Sequence, residues 1–274
     1  MPELPEVETV ARQLAPVLTA KCLRRLVIYD EKLAGIKTHK VANRRIERVC
    51  RLGKQLVLEL SPKSNRSKPC WLTIHLRMTG RLIYAANSRL PSHPDKQHLR
   101  AKLVLDDGAV SLYDLRRFAR IALHDSLVTA QPQGLDPTSR AFSVQRLTEL
   151  LRISTSPLKP WLMRQDRLVG IGNIYASEIC FAAGIHPAQS ANTLNNNEIQ
   201  CLYRATKHIL RAAIKHCGTT FSDFQDSRGQ TGGYVRYLKT YGRENEPCKA
   251  CRTPILRIVQ QQRSTYFCPQ CQRR

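Results

Sequence analysis

Acidic residues are scarce in this sequence of 274 residues. Its 21 Asp and Glu face 44 Lys and Arg, which leaves a formal net charge of +23 at pH 7. Long apolar runs are also missing, since none approaches the roughly 18 residues that a membrane span needs, and no signal-peptide pattern opens the chain. These absences argue against an integral membrane protein and a secreted one. The excess of positive charge predicts a polyanionic partner, although a ribosome-associated or merely basic protein would have the same composition.

The ten cysteines indicate both a metal site and a compartment. Four of them form two Cys-x-x-Cys pairs, Cys248 with Cys251 and Cys268 with Cys271, and sixteen residues separate the pairs. This spacing predicts two knuckles that offer four thiolates to one tetrahedral zinc ion, with chance pairs or disulfides as the alternatives. The other six are scattered, as is typical of small buried hydrophobic residues. Free cysteines beside such a site favour a reducing, intracellular setting.

The first 127 residues predict one helix followed by a mostly antiparallel sheet. Apolar residues recur at the spacing of a helix face from Val7 to Leu18. Asp107-Gly108 is a hairpin signal between two strand-like runs. Such runs cover residues 23–29, 45–60, 71–84, 101–105 and 109–113, and a last run reaches residue 122.

Helical spacing replaces the strand pattern after a linker at residues 128–142. Ser143 is placed to cap one helix, and a short helix is expected to begin at Lys159. Asn195 and Glu198 resemble a capping box that opens a long helix. The sequence therefore predicts a second, helical domain.

Two segments complete the expected domain organisation. The helical domain, residues 143–238, includes a polar, glycine-rich stretch at 222–233 that is too hydrophilic to bury and predicts a mobile loop. Residues 239–274 hold the cysteine pairs and predict a hairpin folded around zinc. Residues 201–274 contain 14 basic and 4 acidic residues, so this basic third of the chain is expected to be a binding surface.

The N-terminus offers a nucleophile. Removal of Met1, which is usual before proline, leaves Pro2 with a free secondary amine. An α-amine has a pKa near 8, against about 10.4 for lysine, so a useful fraction is neutral and nucleophilic at pH 7. Such an amine can attack an electrophilic carbon and form an iminium ion, and the adjacent Glu3 could shuttle protons. Alternatively, Pro2 and Pro5 only start a helix whose dipole the acidic residues complement.

Five segments occur in an order that resembles a known family. They are Pro2-Glu-Leu-Pro-Glu-Val-Glu-Thr9, His75-Leu-Arg-Met-Thr-Gly80, Arg116-Arg-Phe118, Gly170-Ile-Gly-Asn-Ile-Tyr-Ala-Ser-Glu178 and Arg263-Ser-Thr-Tyr-Phe-Cys-Pro-Gln-Cys271. Together they closely resemble bacterial formamidopyrimidine-DNA glycosylases, over essentially the whole chain. The resemblance implies an α+β multidomain fold with an N-terminal helix and β-sandwich, a helix–two-turn–helix module and a zinc-ribbon hairpin.

The same resemblance assigns the catalytic and phosphate-binding residues. Pro2 and Glu3 match the catalytic N-terminus, and Lys54 matches the family's catalytic-site lysine. Asn173 and Arg263 match residues that hold the DNA backbone beside the damaged nucleotide. Asn173 is placed to cap a helix whose exposed amides bind phosphate, and the guanidinium of Arg263 suits a bidentate phosphate contact.

Further matching residues are expected to contact the duplex. Met78, Arg116 and Phe118 match side chains that the family inserts into the space left by an extruded nucleotide, since an apolar wedge and a planar cation can refill it. His75 and His98 match positions that contact DNA. Without the resemblance, the methionine and phenylalanine would be interpreted as core residues and the histidines as structural.

The resemblance implies a bifunctional base-excision-repair enzyme. It would remove oxidised purines (8-oxoguanine and formamidopyrimidines) from damaged double-stranded DNA, and cleave the abasic site by β,δ-elimination through a Pro2 Schiff base. One structural zinc ion, a monomer and a cytoplasmic location associated with the nucleoid are expected, with no membrane. The alternatives are the related endonuclease that prefers oxidised pyrimidines and a non-catalytic zinc-ribbon DNA-binding protein.

Overall fold

The computed structural model of the protein describes residues 1–63, 68–86, 96–221 and 224–273. The chain divides into two compact units: the first comprises Met1–Gln131 and His216–Gly233, and the second comprises Pro132–Lys215 and Tyr234–Arg274. The division differs from the expected one, because residues 216–233 belong with the N-terminal sheet and not with the helices. Within the described ranges, no helix has the length and apolar character needed to cross a membrane.

The first unit holds a helix and an eight-stranded antiparallel sheet, as the sequence predicts. The strand-like run at 45–60 is a hairpin of two strands, and the run at 71–84 is also divided between two strands. The elements are α1 Leu4–Leu18, β1 Cys22–Ile28, β2 Arg44–Leu52, β3 Gln55–Leu60, β4 Cys70–His75, β5 Gly80–Ala86, β6 Leu99–Leu105, β7 Gly108–Asp114, β8 Arg120–His124 and the short helix α2 Leu127–Ala130.

The sheet folds over on itself as a sandwich. Its strand order is β5-β7-β6-β1-β2-β3-β4-β8, and the central β1–β2 contact consists of two residue pairs, Cys22 with Arg45 and Leu23 with Arg44. Two four-stranded halves therefore meet at a narrow seam. Their apolar faces and one face of α1 form a single core that includes Leu58. Truncation of such a core leucine to alanine costs about 2–5 kcal/mol.

Two connections run side by side between the halves of the sandwich. One links β4 to β5, and the other links β7 to β8. His75 pairs with Arg120 where both connections meet the β4–β8 edge, and Gly80 pairs with Asp114 where both meet the β5–β7 edge. The sheet register thus brings residues 76–79 and 115–119 together, although they are far apart in sequence.

The second unit is helical and ends in a two-stranded hairpin. Its elements are α3 Val144–Arg152, α4 Leu158–Leu162, α5 Asn173–Ala183, α6 Asn196–Lys215, β9 Leu256–Gln260 and β10 Arg263–Phe267. The predicted caps are confirmed: Ser143 Oγ accepts from Arg146 N at 3.2 Å, and Asn195 and Glu198 exchange two bonds of 2.7 and 3.0 Å.

Part of the segment at 224–233 is buried, contrary to what its composition predicts, whereas Arg228, Gln230 and Thr231 are exposed as expected. Residues 222 and 223 lie outside the described part of the chain, whereas Phe224, Asp226 and Ser227 are buried. Phe224 joins the sandwich core, and Ser227 O accepts from Tyr84 N at 3.0 Å. The prediction was wrong here because a polar segment can be buried when its polar atoms are hydrogen-bonded.

Candidate functional site

The start of α1 buries the N-terminal acids. Pro2 and Glu3 are both buried, and the N–H of Glu3 donates to Glu6 Oε2 at 2.7 Å, as in a capping box. The second carboxylate oxygen of Glu6 accepts from Thr219 N at 2.7 Å. Gly218 has a φ of +79°, and a Cβ there would lie 2.6 Å from Glu6 Oε1, so only glycine permits this close approach. Glu6 therefore joins the N-terminus to the segment that precedes residues 224–233.

Lys54 lies on the β2–β3 hairpin and is largely buried, so it differs from an ordinary solvated lysine. Gly53 turns the hairpin with a φ of +59°. Arg51 anchors it, since its guanidinium donates to Gly53 O at 3.0 Å and to Glu8 Oε2 on α1 at 2.8 Å. This partly buried ion pair ties the lysine hairpin to the helix that begins after Pro2.

Met78, Arg116 and Phe118 lie together on the two adjacent connections. Met78 is 41% exposed and Phe118 is 44% exposed, so neither is a core residue. The Arg116 guanidinium lies 4.8 Å from the centre of the Phe118 ring, and its Nη1 lies 3.2 Å from Met78 Sδ. Large apolar side chains held at the surface around a cation suit a partner that takes them out of water.

The two predicted histidines have different surroundings. Burial lowers the pKa of His75 to about 4, and the charges of Arg77, Lys54 and Arg120 add to the shift. The ring is therefore neutral at pH 7, and its Nδ1 accepts from Arg77 N at 3.0 Å. His98 is partly exposed at the end of a short turn of helix, with its ring nitrogens near Gln97 and Arg100.

The backbone N–H groups of residues 226–230, 232 and 233 are engaged inside the first unit. The N–H groups of Arg228 and Gln230 both donate to Asp226 Oδ1 at 2.9 Å, and Gly229 N donates to Asp226 O at 3.0 Å. Ser227 N donates to Gln13 Oε1 at 3.0 Å. The last two glycines of the segment also donate: Gly232 N to Thr220 Oγ1 at 2.8 Å and Gly233 N to His216 O at 2.9 Å.

In the second unit, Asn173 is not the cap residue of α5, contrary to the prediction. Gly172 is the cap residue, and Asn173 is the first residue of the helix. Its side chain is held by a buried lysine: Lys159 Nζ donates to Asn173 Oδ1 at 2.5 Å, to Ser264 O at 2.9 Å and to Thr265 Oγ1 at 2.8 Å. The lysine charge thereby fixes the start of α5 against strand β10, which begins at Arg263.

Arg263 projects from the turn of the β9–β10 hairpin. Gln261 and Gln262 both have left-handed backbone conformations, with φ of 45° and 58°, as in a type I′ turn. Arg263 follows directly, pairs with Gln260 across the hairpin and is exposed. A tight turn next to a paired strand fixes the backbone position from which the Arg263 side chain extends.

The four paired cysteines converge as predicted. Their Sγ atoms all lie within 4.8 Å of one another, with 3.9 Å between Cys248 and Cys271 and 3.3 Å between Cys251 and Cys268. Zinc with Zn–S bonds of about 2.3 Å needs sulfurs about 3.8 Å apart, so the donor set fits. Gln272 extends the site to α5, because its side chain bonds Cys268 N at 2.9 Å and Ile185 O at 3.0 Å.

Three buried polar residues of these regions were not predicted from the sequence. They are Lys159, Asp114 and Glu178, and each is almost fully inaccessible. Glu178 accepts from the backbone N–H groups of Lys239, Thr240 and Tyr241 at 2.8–2.9 Å. A lysine within the apolar run Pro157-Leu-Lys-Pro-Trp161 was a usable signal, because an unpaired charge is rarely buried.

Comparison with known proteins identifies the family. Three family models cover the chain in order: the formamidopyrimidine-DNA glycosylase N-terminal domain matches residues 1–121, its H2TH domain matches 133–225, and a zinc finger found in FPG and IleRS matches 245–274. Formamidopyrimidine-DNA glycosylase of Herpetosiphon aurantiacus is 39% identical over 99% of this chain and 100% of its own. The chain belongs to the formamidopyrimidine-DNA glycosylase family.

Solved structures of the formamidopyrimidine-DNA glycosylase family agree with this assignment. The MutM (FPG) protein of Thermus thermophilus superposes with a TM-score of 0.86 and 36% identity, covering 99% of this chain and 98% of its own. A Lactococcus lactis FPG variant in complex with a Fapy-dG containing DNA has a TM-score of 0.86 and 29% identity, with full coverage of both chains. The L. lactis Fpg was also solved with an abasic site containing DNA.

Proposed function

We propose that this protein removes oxidised purines from duplex DNA and then cleaves the backbone at the abasic site. The observation that carries the proposal is the start of α1, where Pro2 is buried directly before Glu3 and the capping box. Family membership and the L. lactis complexes with Fapy-dG and abasic-site DNA support the substrate class.

The chemistry begins after removal of Met1. The lone pair of the Pro2 nitrogen attacks C1′ of the everted nucleotide, the C1′–N bond breaks, and the base leaves with the bonding electrons and takes up a proton. Opening of the sugar ring leaves an iminium ion between C1′ and Pro2. Loss of a C2′ proton then expels the 3′ phosphate, and a second elimination expels the 5′ phosphate. Glu3 handles the protons, and Lys54 acts near the sugar and the lesion.

The remaining predicted residues hold and open the DNA. Asn173 and Arg263 bind the phosphates beside the lesion, and His75 and His98 contact the duplex. The connections that carry Met78, Arg116 and Phe118 supply the side chains that occupy the space left by the everted nucleotide. Residues 224–233 close over the everted base. To bind it, their N–H groups exchange internal hydrogen bonds for bonds to the base, and this exchange determines which lesions the enzyme accepts.

The zinc ion has a structural role. The four cysteines would close its coordination shell with sulfur, and a closed shell leaves no position for a reacting water. Bound zinc supplies folding energy to the small hairpin. Through Cys268 and Gln272 the site fixes the hairpin to the end of α5, and so determines where Arg263 stands.

Borohydride trapping tests the proposal. Wild-type protein mixed with an abasic-site duplex and sodium borohydride is expected to form one stable cross-link, and peptide mass spectrometry is expected to find it on Pro2. Pro2→Gly should keep its affinity for the abasic duplex and lose most of the cross-link. Full trapping by protein that retains Met1 would refute the mechanism, and absence of trapping by wild type would favour a non-catalytic DNA-binding protein.

Oxidised pyrimidines are the second candidate substrate. L. lactis Fpg was solved with an oxidized pyrimidine containing DNA, which favours some breadth in lesion choice. Single-turnover excision rates should be measured on matched duplexes with 8-oxoguanine, a formamidopyrimidine and an oxidised pyrimidine. Their order shows whether the enzyme prefers oxidised purines or oxidised pyrimidines. We also propose a monomer, since one chain carries every predicted catalytic and phosphate-binding residue, and a cytoplasmic location in contact with the nucleoid.

A further inference from the structure

Asp114 links the two connections that carry the exposed wedge residues. It is the last residue of β7, and its side chain is completely buried. Its Oδ1 accepts from the hydroxyl of Thr79, the residue after Met78, and from Arg116 N at 3.2 Å. Its Oδ2 accepts from Phe118 N and Ala119 N, both at 2.7 Å. One carboxylate therefore bonds both connections directly beside the three wedge side chains.

The chemistry of this carboxylate suits a positioning role. A buried carboxylate is costly unless its oxygens are hydrogen-bonded, and bonds to an ionised acceptor are roughly twice as strong as neutral ones. All four donors are a hydroxyl or backbone amides, whose positions are set by the loop backbone. Loss of the charge would loosen the backbone of both connections at the same time.

Both connections need such a restraint. Each contains a left-handed arginine next to a wedge residue, Arg77 before Met78 and Arg117 before Phe118, and both have a φ of 56°. This conformation is strained for a residue with a Cβ, because the Cβ approaches the following carbonyl oxygen. The Asp114 bonds to Arg116 N and Phe118 N lie on either side of Arg117, and the bond to Thr79 lies two residues after Arg77, so they restrain the backbone near both strained positions.

We propose that Asp114 is a positioning residue that holds Met78, Arg116 and Phe118 in the arrangement that enters the duplex. The inference rests on the proposed function of those three side chains. A preorganised wedge lowers the cost of opening a base stack, because its side chains need no ordering at the moment of insertion. Asp114 itself touches neither the lesion nor the reacting atoms, so its effect should depend on whether the substrate has a stack to open.

Asp114→Asn tests this directly, because it keeps the shape and replaces one acceptor oxygen by an NH₂ group. The same abasic site is placed in a duplex and in a single strand, and single-turnover incision is measured on both. We expect the duplex rate to fall about tenfold to 100-fold, as for one or two lost charge-assisted bonds, and the single-strand rate to fall less than about threefold. If 2-aminopurine is placed opposite the site, its fluorescence reports insertion of the wedge. The fluorescence change on protein binding should be smaller with Asp114→Asn than with wild type.

Three controls decide the interpretation. Asp107→Asn makes the same chemical change at an exposed turn and should leave both rates unchanged. Thr79→Val removes the hydroxyl bond to Asp114 and the acceptor that Thr79 Oγ1 offers to Arg116 N, while it leaves the carboxylate in place. It should shift the duplex-to-single-strand ratio in the same direction, even if Asp114→Asn fails to fold. Arg116→Ala reports on the wedge itself. If Arg116→Ala changes the ratio and both Asp114→Asn and Thr79→Val leave it unchanged, the positioning role is refuted. If Arg116→Ala also leaves it unchanged, the proposed wedge function fails instead.

Discussion

Lys159 Nζ lies 2.5 Å from Asn173 Oδ1, and the same ammonium group bonds Ser264 O and Thr265 Oγ1. A single buried charge thus joins the first residue of α5 to the strand that begins at Arg263. The two side chains proposed to bind phosphate are therefore not positioned independently. A substitution of Lys159 should therefore alter the positions of both Asn173 and Arg263.

Lys159→Met should weaken DNA binding and stability together. The substitution keeps the apolar stem but leaves buried acceptors without a donor, which costs about 1–3 kcal/mol for each group. We expect at least a tenfold loss of affinity for an abasic-analogue duplex and a lower midpoint of thermal unfolding. Lys215→Met removes the same charge from the exposed end of α6 and should change the affinity by less than about twofold. Equal effects of the two variants would mean that net charge alone matters.

Arg263→Ala should reduce the salt dependence of binding. Each phosphate contact contributes about −0.9 to the slope of log K against log salt, so loss of one contact should reduce the magnitude of the slope by about 1. Arg164 is a suitable control, because it is paired with Asp166 at 2.7 Å. Arg164→Ala should leave the slope close to that of wild type. A wild-type slope in the Arg263 variant would show that this guanidinium touches no phosphate.

Cys268→Ser should release the metal. Structural zinc binding is coupled directly to folding, so the hairpin should lose order and Arg263 its position. We expect the zinc content to fall from about one per chain to near zero, with duplex affinity falling at least as far as in Arg263→Ala. Cys201→Ser changes a cysteine of α6 outside the cluster and should retain full zinc. Full affinity in zinc-depleted Cys268→Ser protein would contradict the structural role.

Asp30 gives the protein a defined acid sensitivity. Hydrogen bonds from Arg117 lower the pKa of Asp30 to about 2, against 3.8 for the unperturbed group. A lowered carboxyl pKa stabilises the fold above pH 4, and this stabilisation is lost as the pH falls from about 4 to 2. Because Arg117 is partly exposed, we expect a contribution of only about 1–2 kcal/mol. The difference in unfolding free energy between wild type and Asp30→Asn should therefore shrink over that range, and a constant difference would argue against the ion pair.

Phe224→Ala tests whether residues 224–233 contribute to the core. A buried phenylalanine truncated to alanine costs about 3–5 kcal/mol. Phe221, three residues earlier, is 54% exposed, so Phe221→Ala should cost far less. Denaturant unfolding of both variants measures the difference. Similar small losses would mean that the segment is held only by its polar contacts.

Local patterns explain which parts of this fold could be predicted. The caps at Ser143 and Asn195 need only residues three positions away, and the zinc ligands are set by two short spacings. Strand positions followed from short strand-like runs and the Asp107-Gly108 turn signal, which are visible even where a strand such as β7 is buried at every position. The sequence therefore indicated the elements and the metal site without any knowledge of their packing.

Long-range partners explain what could not be predicted. Asn173 resembled a helix cap because its neighbours are helical, but Lys159 from α4 takes its side-chain oxygen. The polar composition of residues 224–233 predicted exposure. Part of the segment is buried instead, because its polar atoms find partners on α1 and β5. Asp114 was overlooked for the same reason, since Thr79 becomes its neighbour only through the sheet register. Contacts of this kind have no periodic signature in the sequence.

Under the proposed function, the internal amide bonds of residues 224–233 compete with the bonds that the same amides would make to an everted base. Gln13 accepts from the N–H of Ser227, and Asp226 accepts from the N–H groups of Arg228 and Gln230. A base that takes a donor from Asp226 replaces a carboxylate acceptor by a neutral one, and bonds to an ionised acceptor are roughly twice as strong, so this exchange alone gains no free energy. An undamaged base with one misplaced acceptor then gains nothing by binding. Under the proposed function, discrimination among bases therefore depends on the difference in free energy between the two sets of bonds, and not on the strength of any one bond.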